Sequence, residues 1–134
     1  MTAIEIQFFL YPPLDTLQLQ NAVIGNGAWR AQPPNVLIYG RYPAHATATL
    51  SDPGGELEVQ YSAPAGPSGP VTFSLRVASW PGGKIVARCA TNDDRYETKV
   101  TVTPGPASTV VGLQMRQRQG TTDGAQPEVQ AVPQ

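Results

Sequence analysis

The sequence has one cysteine and one histidine, and only 14% of its 134 residues are charged. Each scarcity removes a class of chemistry. A lone Cys89 rules out an intrachain disulfide and, with a lone His45, rules out a zinc site built from several His or Cys ligands of this chain. Any Ser–His–Asp or Cys–His site would have to use His45, which sits between Ala44 and Ala46 at the start of a run, where an exposed strand-end histidine is expected. Charge is low compared with the roughly 25% of an average soluble domain, and the formal net value is −1, so there is no basic stripe to follow a nucleic-acid backbone. Arg116 and Arg118 read as a solvated strand end. The N-terminal run MTAIEIQFFLYPP is interrupted by Glu5 and Gln7 at strand period. It has neither the basic start nor the long apolar stretch of a secretory leader, and no segment approaches the ~18 apolar residues of a membrane span. These features predict a chain folded in the cytoplasm, a setting compatible with later incorporation in a virion.

What the sequence has in quantity is glycine and proline, 13 and 14 residues, set between short alternating runs. From Ala44 to Pro104 it reads AHATATLS, DPGG, ELEVQYS, APAGPSGP, VTFSLRVASW, PGG, KIVARCAT, NDD, RYETKVTVT. A strand has a side-chain period of two, so Ala46/Ala48/Leu50, Leu57/Val59/Tyr61, Val71/Phe73/Leu75/Val77, Ile85/Ala87/Cys89 and Val100/Val102 each define a dry face. The opposite faces carry Thr47/Thr49, Glu56/Glu58/Gln60, Thr72/Ser74/Arg76, Arg88 and Lys99/Thr101/Thr103. One wet and one buried face per strand marks an antiparallel sandwich. Upstream, Ile4, Ile6, Phe8 and Leu10 alternate up to the stop at Pro12-Pro13. Further runs lie at Thr16 to Ile24 and Val36 to Tyr39, with Gly25-Asn26-Gly27 as a turn. Thr109 to Met115 is a last run. No helical periodicity and no solenoid repeat is present.

The predicted fold is all-β, an antiparallel Ig-like β-sandwich of about seven to nine strands with a flexible C-terminal tail. The expected division is residues 1–34 as an N-terminal strand extension packing on the sandwich or on a neighbour, 35–116 as the sandwich, and 117–134 as a Gln/Gly/Pro-rich tail.

The stretch from about Asn35 to Pro104 resembles bacterial Ig-like domains of the invasin/intimin type, which also occur on phage virion proteins. The resemblance rests on the order of parts. A Thr-alternating strand ends in Ser51-Asp52-Pro53-Gly54-Gly55. The runs Val71-Thr72-Phe73-Ser74 and Gly83 to Ala87 follow, and Val100-Thr101-Val102-Thr103-Pro104 closes the module. The Cys…Trp…Cys arrangement of antibody domains is absent. The resemblance implies a passive role as spacer, adhesin or binding module, or as a decoration on a capsid or tail.

Catalytic readings compete with plainer ones. Glu56 and Glu58 share a strand face about 6–7 Å apart at the backbone, a spacing open to an acid/base pair, though a solvated, edge-protecting charged face is the stronger reading. Asp93 and Asp94, with Asn92 or Asp52, could ligate calcium, though ordinary turn chemistry explains Asn-Asp-Asp as well. Cys89 alternates with Ile85 and Ala87 as a small core hydrophobe. No catalytic residue, cofactor site or metal site is assigned. The candidate contacts are aromatic: Trp29, Tyr39, Tyr42, Trp80 and Tyr96, each able to stack on a sugar or anchor a protein partner, or to close the ends of the core. The expected function is a non-enzymatic structural or interaction protein, a subunit of a larger assembly such as a phage virion decoration or tail accessory protein. Its partners would be copies of itself or capsid and tail neighbours. The alternative is a carbohydrate-binding module working through exposed Trp and Tyr.

Overall fold

A computed structural model describes residues 1–41, 44–66 and 69–118. Among the described residues ten strands follow one another: β1 (Thr2–Leu10), β2 (Thr16–Gly25), β3 (Gly27–Ala31), β4 (Val36–Ile38), β5 (His45–Leu50), β6 (Glu56–Gly66), β7 (Gly69–Trp80), β8 (Lys84–Thr91), β9 (Tyr96–Thr103) and β10 (Thr109–Gln117). No helix occurs among the described residues. The five alternating runs after Ala44 are β5 to β9, β4 is the run at Val36, and the strand count exceeds the expected range because β3 forms a further edge strand. The predicted tail, apart from Gln117 and Arg118, falls outside the described residues.

The strands form two five-stranded sheets. Sheet A has the order β3-β5-β1-β10-β9, and sheet B has the order β4-β2-β6-β7-β8. All neighbours are antiparallel except β1 and β10, which run parallel from Ile4 opposite Thr109 to Leu10 opposite Met115. Alternation decides which side of each strand is dry. Ile4, Ile6, Phe8 and Leu10 of β1, Val111, Leu113 and Met115 of β10, and Ala46, Ala48 and Leu50 of β5 all point inward from sheet A. They meet Leu57, Val59 and Tyr61 of β6 and Val71, Phe73, Leu75 and Val77 of β7. Two ring contacts lie within this interior: Phe8 on Tyr61 at 5.3 Å, nearly edge-on, and Phe73 on Tyr96 at 5.9 Å.

The division expected at residue 34 has no counterpart in the sheets. β1 is the central strand of sheet A, and β2 lies between β4 and β6 in sheet B. Residues 1–34 therefore supply three strands of the sandwich itself, β1, β2 and β3, rather than an extension laid upon it. An amphipathic strand with a complete dry face needs a core to cover that face, and here it covers the same core as β5 to β10.

The chain passes from sheet B to sheet A at Asn26, in the left-handed region at φ 54°. Glycine is required beside it. A Cβ on Gly27 would fall 2.3 Å from the Thr49 carbonyl oxygen of the paired strand, and one on Gly55 would fall 2.6 Å from the Ser51 nitrogen. The same end of the sandwich is tied by Asp52, whose Oδ1 accepts from the Ser79 hydroxyl and the Gly83 N–H, each at 3.2 Å. Ser79 is buried in line with Val77, so this bond satisfies a polar group inside the core edge.

Candidate functional site

The outer face of sheet B carries the most featured surface among the described residues. Three neighbouring strands set it out in rows. β6 presents Glu56, Glu58 and Gln60; β7 presents Arg76, Ala78 and Trp80; β8 presents Lys84, Val86 and Arg88. Pairing places Glu58 opposite Arg76 and Arg76 opposite Arg88. It also places Glu56 opposite Ala78, Ala78 opposite Val86, and Trp80 opposite Lys84. β2 adds Val23 opposite Glu58 and Gly25 opposite Glu56.

Small residues explain why this face is hollow. Gly25 and Ala78 project little from the pleat, while Val23, Arg76, Trp80 and Arg88 rise around them. The result is an open depression of about 430 Å³ lined by Val23, Glu56, Glu58 and Arg76 among others. A second of about 160 Å³ adjoins it, lined by Trp80, Val86 and Arg88, with Glu56 and Arg76 shared by both. Two apolar side chains stand exposed on its rim, Trp80 at 46% and Val23 at 50%. Lys84 holds its Nζ 5.8 Å from the centre of the Trp80 ring, a cation–π distance. Glu58 is positioned by Arg76 at 3.6 Å and by the Gln60 amide, which donates at 3.3 Å. Glu56 makes no ion pair among the described residues.

Chemically, this is an aromatic plane beside hydrogen-bonding side chains of both signs, in a hollow open to solvent. That arrangement can bind a ligand that offers both an apolar face and polar groups. The two glutamates do share a face, as their spacing implies, but Glu58 is already bonded to Arg76.

The predicted aromatic contacts separate into groups. Trp80 lies in the depression. Tyr39 is exposed just beyond β4, away from the residues lining it. Trp29 and Tyr96 are half-buried against the core, where Trp29 uses the inner face of β3 and Tyr96 the edge of Phe73. Tyr42 lies outside the described residues. Sequence reasoning missed Arg76, Lys84, Val86 and Arg88 as site residues. The signal for them was in the Trp80-Pro81-Gly82-Gly83-Lys84 hairpin, which fixes the register and so brings Arg88 beside Arg76.

The other candidate groups are occupied locally. Asp93 takes the Arg95 backbone N–H at 2.9 Å and the Arg95 Nε at 3.0 Å. Asn92 accepts from the Thr72 N–H and donates to the Pro70 carbonyl, and Asp52 is taken by Ser79 and Gly83 in the corner described above. Among the described residues no three His, Cys, Asp or Glu side chains gather as a metal site. Cys89 is half-buried against the core, and His45 is exposed at the start of β5. Arg116 pairs with Glu97 at 2.9 Å.

The Arg95 guanidinium, bonded to Asp93, holds that carboxyl at about 2. A lowered carboxyl favours the folded state above the ordinary carboxylate range, and that contribution is lost as pH falls through about 2. Arg95→Gln is expected to raise the Asp93 midpoint by at least about one pH unit, towards ~3.9, in a carboxyl-detected NMR titration. An unmoved midpoint would show that the turn itself sets it.

No helix of the described residues is long and apolar enough to cross a membrane. No family model matches the chain, and no curated protein matches it. Among solved structures, the RahU protein, crystallised in complex with a TRIS molecule, is similar with a TM-score of 0.61 at 12% identity. The match spans 90% of this chain and 98% of that one. At that identity the similarity is one of fold: the chain is an all-β sandwich of two packed sheets.

Proposed function

We propose that this chain is a non-enzymatic binding protein whose working surface is the outer face of sheet B, and that a glycan is the ligand this surface fits best. The observation that carries the reading is Trp80, exposed at the side of a hollow whose other walls are Glu56, Arg76 and Arg88. A sugar ring offers an apolar face to an aromatic plane and a rim of hydroxyls to charged side chains, and those are the two kinds of group assembled here. Trp80→Ala is expected to weaken glycan binding at least about tenfold on an array or by calorimetry, the scale of losing a central aromatic anchor. Its melting temperature should change little, since the indole is not in the core. Retention of full affinity by the alanine variant would refute the reading.

A second reading is a subunit of a larger assembly, a virion decoration or tail accessory protein among them, with the Ig-like resemblance as its starting point. It draws support from β9, an eight-residue edge strand with Val102 exposed at 37%. An unpaired edge of that length can accept another strand. Residues 1–34 do not add to that support, because β1 and β2 are interior strands. A concentration-independent monomer in sedimentation counts against self-assembly.

A further inference from the structure

The depression is electrically divided. Its acids, Glu56 and Glu58, lie on β6; its bases, Arg76 and Arg88, lie on β7 and β8, with Lys84 beside it over Trp80. Like charges directly opposite on paired strands repel. Arg76 and Arg88 are such a pair. Arg76 has Glu58 on its far side at 3.6 Å, but Arg88 has no acidic partner among the described residues. Lys84, four residues before Arg88 on the same outer face, faces Trp80 rather than a carboxylate. The basic side of the hollow therefore holds uncompensated positive charge beside an exposed indole, with Val86 between Lys84 and Arg88.

We propose that the ligand is an acidic glycan, one that carries a carboxylate or a sulfate. The sugar ring lies on Trp80, and the anionic group is taken by Arg88 together with Arg76. This inference rests on the glycan reading above and adds the ligand's charge to it. A planar guanidinium pair suits the two or three oxygens of either group, and an anion between them converts a repulsive pair into two charge-assisted contacts. Glu56, on the opposite wall, is left to accept from sugar hydroxyls. It also sets the orientation, since an acidic substituent turned towards β6 would meet Glu56 and Glu58.

The test uses the intact chain against neutral oligosaccharides, uronate oligosaccharides and sulfated oligosaccharides, titrated at low and at raised salt. At least one acidic class is expected to bind about tenfold or more tightly than the neutral set, with affinity falling as salt rises. Which acidic class it is separates carboxylate from sulfate. Arg88→Gln should remove that preference with no change in melting temperature. Arg30→Gln, which removes an exposed charge from sheet A, should keep it. Equal binding of neutral and acidic sugars, unaffected by Arg88→Gln, overturns the inference and leaves the glycan reading standing. Binding of no sugar overturns both. Equal binding of polyglutamate that survives Trp80→Ala also overturns the inference, since that response is attraction to charge alone.

Discussion

A chain lacking residues 1–34 is expected not to fold. The deletion takes β1 from between β5 and β10, and it also takes β3, the only other partner of β5. Sheet A is left as an isolated β5 and a β10–β9 pair. Sheet B loses β2 and with it the only neighbour of β4. Six buried side chains go as well: Ile4, Ile6, Phe8, Leu10, Leu14 and Leu17. At roughly 1.5–3 kcal/mol for each buried side chain, the loss is about 9–18 kcal/mol, of the same size as the roughly 5–15 kcal/mol that ordinarily separates folded from unfolded states. The truncated chain also exposes the flanks of β5, β6 and β10, which favours aggregation. Circular dichroism and scanning calorimetry should show no cooperative transition. A truncated protein that melts cooperatively would restore the division at residue 34 and place the first two strands outside the core.

That expected division shows where sequence reading stops. Period-two alternation tells which side of a strand is dry, and it located β1 and β5 to β10 closely. It says nothing about which strand lies alongside. The pairing of Ile4 with Thr109 joins residues at opposite ends of the chain, and it is parallel, so no turn links the two strands and no turn residues announce it. Gly25-Asn26-Gly27 was legible as a turn, but its use as a corner between sheets depends on the close approach of Gly27 to Thr49. The candidate site divides along the same line. Trp80 is out of phase with Val77, which predicts its outward position. Arg76 shares its strand, and its company of Glu56 and Val23 comes from two strand pairings, one, β6 with β7, set by a local hairpin and one, β2 with β6, by the fold as a whole. In the sequence Trp29 and Tyr96 read as closers of the core ends or, less strongly, as surface contacts. The inner face of β3 and the Phe73 ring decided for the core.

Phe8→Ala should be the most damaging single substitution of those considered, costing about 3–5 kcal/mol and lowering the melting temperature by roughly 10–20 °C. Phe8 projects from the central strand of sheet A onto Tyr61 of sheet B, so its removal opens a cavity between the layers. Tyr61→Phe separates the ring from the hydroxyl. The phenol donates to the Pro34 carbonyl at 2.6 Å, and its loss leaves that acceptor unpaired at a cost of about 1 kcal/mol. The hydroxyl also leaves a signature in pH. Burial pushes the Tyr61 phenol well above its ordinary value of 10.0, so the folded state keeps a proton that the unfolded chain releases. Stability from this group is complete below 10.0 and declines as pH rises beyond it. Urea denaturation above that pH should therefore show a steeper loss for the parent protein than for Tyr61→Phe. Combining Phe8→Ala with Tyr61→Ala should reveal a coupling of about 0.5–1.5 kcal/mol from the edge-on pair. A Phe8→Ala protein within about 1 kcal/mol of the parent would mean that β1 does not pack between the sheets. It would also remove the reason for expecting the truncated chain to unfold, because both results depend on the inward face of that one strand.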